Sequence, residues 1–179
     1  MSYKFQNCIS AATMGRIILC QINRREDVDM EKTSTKPLDV NCELLMDVIY
    51  GASMGASACQ ALMGKTRDAE MLGCLSSQLE QYNALCAQAR AELNARGQQM
   101  PSVALGETGL KLGVFMNTLI DDSPSHIAEM MMEGATMGII DATRAKNRCS
   151  AADAQVTGMA QHLIDIERGN MDAMQKRLN

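Results

Sequence analysis

Apolar residues along the chain recur at steps of three and four, the spacing that lays one continuous stripe along an α-helix. Starting from Asp39 or Asn41, either able to cap, the positions Leu44, Leu45, Val48, Ile49, Ala52, Ala56, Cys59 and Met63 predict a first long helix ending near Gly64. A second helix is predicted from about Arg67 to Arg96, with Met71, Leu72, Leu75, Leu79, Tyr82, Leu85, Cys86, Ala89 and Leu93 inward and Gly97 as its C-cap. After a loop at Gln98 to Pro101, a third helical region begins near Ser102, breaks or kinks at Asp121-Asp122-Ser123-Pro124 and resumes from Ile127 through Lys146. Ser123 is its expected N-cap, with Pro124 at the first helical position. The fourth helix follows Ser150 and carries Val156, Met159, Ala160, Leu163, Ile164, Ile166, Met171, Met174 and Leu178. Four helices with short connections predict an antiparallel bundle spanning 39–179.

The first 38 residues read differently. A short helical pattern around Cys8 to Ile22 gives way to Asn23-Arg24-Arg25-Glu26-Asp27 and a polar linker from Glu31 to Pro37, so 1–38 is expected to be an extra helical or flexible extension. Composition supports an all-α protein: aromatic residues make up 3% of the 179, too few to fill a β-sandwich, while 16 Met offer flexible core-filling side chains. The net charge of −4 and scattered Lys and Arg give no basic face, so neither nucleic acid nor an anionic membrane is an expected partner. The cysteine count is seven, an odd number with no Cys-x-x-Cys pair, which suits small buried thiols in a reducing cytoplasm. No apolar run reaches the roughly 18 to 20 residues of a membrane span.

The chain also repeats itself. Gly51-Ala52-Ser53-Met54-Gly55 on the first helix recurs as Gly134-Ala135-Thr136-Met137-Gly138 on the third, and Glu80-Gln81-Tyr82-Asn83 on the second recurs as Glu167-Arg168-Gly169-Asn170 on the fourth. Two related helical hairpins follow from that order. The small residues read first as close helix packing, with Met filling what remains. Tyr50 and Glu133 stand in equivalent places just before the glycine motifs. Each of Glu80 and Glu167 has an Asn three residues on, on the same helix face. If all four helices turn these positions inward, Glu80, Glu133, Glu167, Asn83, Asn170 and Tyr50 converge in the bundle interior, where buried acids need protons, hydrogen bonds or a cation.

In this arrangement the sequence resembles the ferritin-like superfamily, in which each of two hairpins supplies a Glu and a Glu-x-x-His to hold two metal ions. The runs Ser125-His126-Ile127-Ala128-Glu129, Gly134 to Ile139 and Leu163 to Glu167 are similar to small bacterial ferritin-like proteins, clostridial ones in particular. The resemblance covers about Asn41 to Asn179 and implies Fe or Mn as the metal. Here both His of the motif are Asn (Asn83, Asn170) and one Glu is Tyr50, an oxygen-only donor set that suits iron poorly. His126 and His162 lie away from the ligand positions, and Glu129 is a reserve acid one turn from Glu133.

Three functions are compatible with these residues. The favoured expectation is a non-enzymatic structural or interaction protein with a degenerate metal site, forming a homo-oligomer (dimer). The alternative is a carboxylate-ligated Fe or Mn protein for storage or oxidation chemistry. The third is a small-molecule binder using Tyr50, Tyr82 and Met in the interior. No phosphate loop, nucleophile elbow or Cys-His-acid arrangement is present, and Cys59, Cys74 and Cys86 are expected to be inert.

Overall fold

The computed structural model describes residues 39–101 and 123–178. Internal contacts divide the chain into Met1–Lys36 and Pro37–Asn179. The expected N-terminal helix, the linker after it and the helical stretch predicted from Ser102 all lie outside the described residues.

Among the described residues the structure is all-α: α1 (Val40–Met63), α2 (Ala69–Ala95), α3 (Pro124–Arg148) and α4 (Ala154–Gln175). Each begins on a residue whose side chain accepts from a backbone N–H that the helix leaves open. Asp39 accepts from Asn41, Asp68 from Met71, Ser123 from His126 and Asp153 from Val156. Asp39 rather than Asn41 is thus the first cap, and α4 starts only after Asp153 because the turn at 150–153 must supply its cap. The end of α2 depends on Gly97, whose φ of 73° is the left-handed conformation that glycine alone adopts freely. Its N–H donates to the Asn94 carbonyl at 2.9 Å and the Gln98 N–H to that of Leu93 at 3.1 Å, a Schellman closure.

The pairing of ends fixes the course of the chain. Arg96, just past α2, bonds Asp153 at the start of α4 at 2.7 Å and reaches Asp39 at the start of α1 at 3.8 Å. Arg148, at the end of α3, bonds Glu43 at 2.8 Å and also Asp47, both in the first turns of α1. So α1 and α4 begin where α2 and α3 finish. Helix α1 packs along α2 and α3 along α4, the hairpins meet through α1 with α3 and α4 and through α2 with α4, and α2 and α3 stand on a diagonal. The helices within each hairpin are antiparallel as expected, as are α1 with α3 and α2 with α4, whereas α1 and α4 run in the same direction; short connections join only α1 to α2 and α3 to α4. Helices α2 and α3 run in the same direction, so residues 96–123 connect opposite ends of the bundle.

The core consists of one face from each helix. In α2 it is Met71, Leu75, Gln78, Tyr82, Leu85, Ala89 and Leu93, and in α4 the stripe Val156, Ala160, Leu163, Glu167, Asn170 and Met174, flanked by the buried Ile164 and Ile166. Both stripes advance by steps of three and four, the spacing that keeps one seam facing a partner helix. Fully burying each Leu contributes about 1.5–3 kcal/mol, so the apolar layers above and below hold the bundle while Gln78, Tyr82, Glu167 and Asn170 interrupt them at mid-height.

Candidate functional site

Tyr82 on α2 and Glu167 on α4 meet across the seam between the hairpins. The Tyr82 hydroxyl donates to Glu167 Oε2 at 2.7 Å, and Asn170 Nδ2, one turn after Glu167, donates to Tyr82 Oη at 2.9 Å. All three side chains are buried, Tyr82 at 1% exposure and Glu167 and Asn170 at 4% each. A second polar group lies beside them. Gln78, one turn before Tyr82, faces the Cys59 thiol of α1 through Oε1 at 3.9 Å, and its Nε2 lies 3.5 Å from Cys74 Sγ.

The repeated glycine motif makes room for this cluster. A Cβ at Gly55 of α1 would lie 2.4 Å from the Tyr82 ring, and one at Gly138 of α3 would lie 2.7 Å from Glu167 Oε1. The second glycine of each motif is therefore required by the polar side chain of the helix that follows. Close packing is what these glycines provide, as the sequence suggests, and the atoms they admit are those of the site.

Burial sets the electrostatics. It pushes the Glu167 carboxyl up to about 7 against the smaller opposing effect of the Tyr82 hydrogen bond. The Tyr82 phenol is raised far above its ordinary value, by burial first and then by the charge of Glu167 and its hydrogen bond. Cys59 is pushed up to about 12 by burial and then by Glu167, which leaves it a protonated, unreactive thiol. The group can hold a proton; it holds no activated nucleophile.

The predicted ligand set does not assemble. Glu167 and Asn170 are inside, Tyr50 is half-buried on α1, and Glu80, Asn83 and Glu133 are exposed to solvent. The reason is helix phase. With Tyr82 inward, Glu80 two positions earlier is rotated by about 200° to the opposite face, and the buried Ala135 does the same to Glu133. The paired helices also align differently from the sequence match. Moving 85 residues along the chain carries Met71, Leu75, Gln78, Tyr82, Leu85 and Ala89 onto Val156, Ala160, Leu163, Glu167, Asn170 and Met174, all buried. Tyr82 thus occupies the place of Glu167, where the motif comparison had put Glu80. For α1 and α3 the 83-residue shift of the glycine motifs agrees with burial, carrying Leu44, Leu45, Val48 and Ala52 onto Ile127, Ala128, Met131 and Ala135.

A metal ion of the ferritin-like kind does not fit these donors, because Glu167 is the only acid among the described residues to enter the interior and its Oε2 is taken by Tyr82. Elsewhere Glu43, Asp47 and Cys149 come together, but the Arg148 guanidinium bridges both acids and supplies the cation they need. His126 lies 3.4 Å from Glu129 at the start of α3, and His162 is exposed on α4. The five cysteines among the described residues are free thiols, and no described helix is long and apolar enough to cross a membrane. The chain matches no protein-family model, and comparison with curated proteins gives no match.

Proposed function

We propose that the protein is a non-enzymatic bundle of the ferritin-like type, a cytoplasmic structural or interaction protein that associates as a homodimer, in which the position of a metal centre has become a hydrogen-bonded joint between hairpins. The observation that carries this reading is the Asn170 to Tyr82 to Glu167 chain, which commits the interior acid to a partner on the other hairpin. A buried polar contact of this kind adds little net stability but penalises every other register of the two hairpins, since a shifted helix would leave Glu167 without its donor. The course of the helices, with a single long crossover, and the matched burial of the two hairpins support the ferritin-like kinship. The free thiols suit a reducing compartment.

Elemental analysis of the full chain after dialysis, beside its mass by sedimentation, tests the reading. Less than a tenth of an equivalent of Fe or Mn and the mass of a dimer are expected. Stoichiometric Fe or Mn lost in Glu167→Ala overturns the non-metal reading, and a monomer at all concentrations overturns the dimer.

A further inference from the structure

Glu167 brings a carboxyl into the seam with only neutral company. From α1 the group facing it is the Cys59 thiol, from α2 the Tyr82 phenol with the Gln78 amide one turn away, from α3 the bare backbone of Gly138, and from its own helix the Asn170 amide. No Lys, Arg or His among the described residues acts on it. The protonated carboxyl fits this pocket as a neutral hydrogen-bonding group. The carboxylate would be a lone charge with one donor, so in such a place the acid gives up its proton reluctantly, and the charge, once formed, draws in water.

We propose that the Glu167 carboxyl, buried against Tyr82, is a proton-operated latch: with Glu167 neutral the α2–α4 seam is closed, and loss of that proton loosens the seam at mid-height. The inference concerns the joint itself and holds whichever partner the bundle serves. Its direction follows from linkage. Glu167 exposed by an opening releases its proton near the ordinary 4.5, while the closed seam retains it up to about 7. The open form therefore binds fewer protons, and closing is favoured most fully below about pH 4.5. That advantage declines as pH rises towards about 7 and is constant above it.

Amide hydrogen exchange on the full chain between pH 4.5 and 8.5, corrected for the pH dependence of the chemical exchange step, reads this directly. Protection in the middle of α2 and α4 is expected to fall by up to about tenfold per pH unit to near pH 7 and then level off. Glu167→Gln keeps the shape and accepts from Tyr82 but cannot ionise, so its protection should be flat over the same range. Equal pH dependence in the wild type and Glu167→Gln, or none in either, overturns the latch. A second variant decides the matter should Glu167→Gln not fold. Tyr82→Phe removes the hydrogen bond that favours the carboxylate, so the levelling-off should move to higher pH; an unmoved or lowered edge overturns the proposal.

Discussion

In the α1–α2 hairpin the central core position is filled by the ring of Tyr82 lying against Gly55, and in the α3–α4 hairpin the corresponding position is filled by the carboxyl of Glu167 against Gly138. The backbone solution is shared, a glycine on the first helix hollowed out for a polar side chain on the second. The chemistry differs: one half presents a donor and the other an acceptor, so each completes its partner across the seam. Two identical halves would have set acid against acid or phenol against phenol. The difference at the central residue lets the donor of one half and the acceptor of the other satisfy each other.

The comparison predicts unequal costs for the same substitution. Gly55→Ala should be the most damaging, because its Cβ meets several ring atoms of Tyr82 at 2.4–2.7 Å and a fully buried ring has nowhere to go. A loss of about 3 kcal/mol in urea unfolding is expected, at the upper end of overpacking effects. Tyr82→Phe should come next, near 2 kcal/mol. It keeps the ring packing but leaves the Asn170 amide and Glu167 Oε2 without the hydroxyl they share. Gly138→Ala should cost less, about 1 kcal/mol, since its Cβ meets the far end of a flexible side chain that can turn. Should Gly138→Ala prove the worse of the first and last, the ring and not the carboxyl would be the adaptable member.

These residues also show where the sequence could be read and where it could not. The four helices were plain in the three-and-four spacing, and so were Asp39 and Ser123 before two of them, because an amphipathic stripe and a capping side chain are local properties; Asp68 and Asp153, read as part of their helices, cap them instead. The glycine motifs were visible as a repeat, and their 83-residue shift agrees with the burial of α1 and α3. The acid cluster failed because Glu80 and Tyr82, two residues apart, cannot both face inward, and the inward stripe of α2 already contained Tyr82. Matching Glu-x-x-Asn by letters placed Glu80 opposite Glu167, whereas the stripe that includes Met71, Leu75 and Leu85 sets Tyr82 there. Gln78 was hidden, and so was the partner of the inward Tyr82, because Cys59 and Glu167 are brought to them only by tertiary packing. The crossover from α2 to α3 was hidden too, since parallel and antiparallel diagonals share the same stripe and only end contacts such as Arg96 with Asp153 distinguish them.

The smallest effect concerns the first glycine of each motif. A Cβ at Gly51 would approach Leu163 Cδ2 at 2.9 Å, a methyl that can rotate away, whereas a Cβ at the exposed Gly134 meets nothing within 4 Å. Gly134 sits inside α3 with helical backbone that any residue can adopt, so within one chain nothing requires glycine there. Replacing it by Ala removes conformational freedom from the unfolded chain without a clash. Gly134→Ala is therefore expected to stabilise by about 0.5–1 kcal/mol in urea unfolding at a concentration low enough to populate monomer. Sedimentation of the same variant sharpens the result. If the proposed homodimer brings a second helix onto α3 at this glycine, the added methyl should weaken association even as the single chain gains stability; gain in both would place any dimer contact on another face.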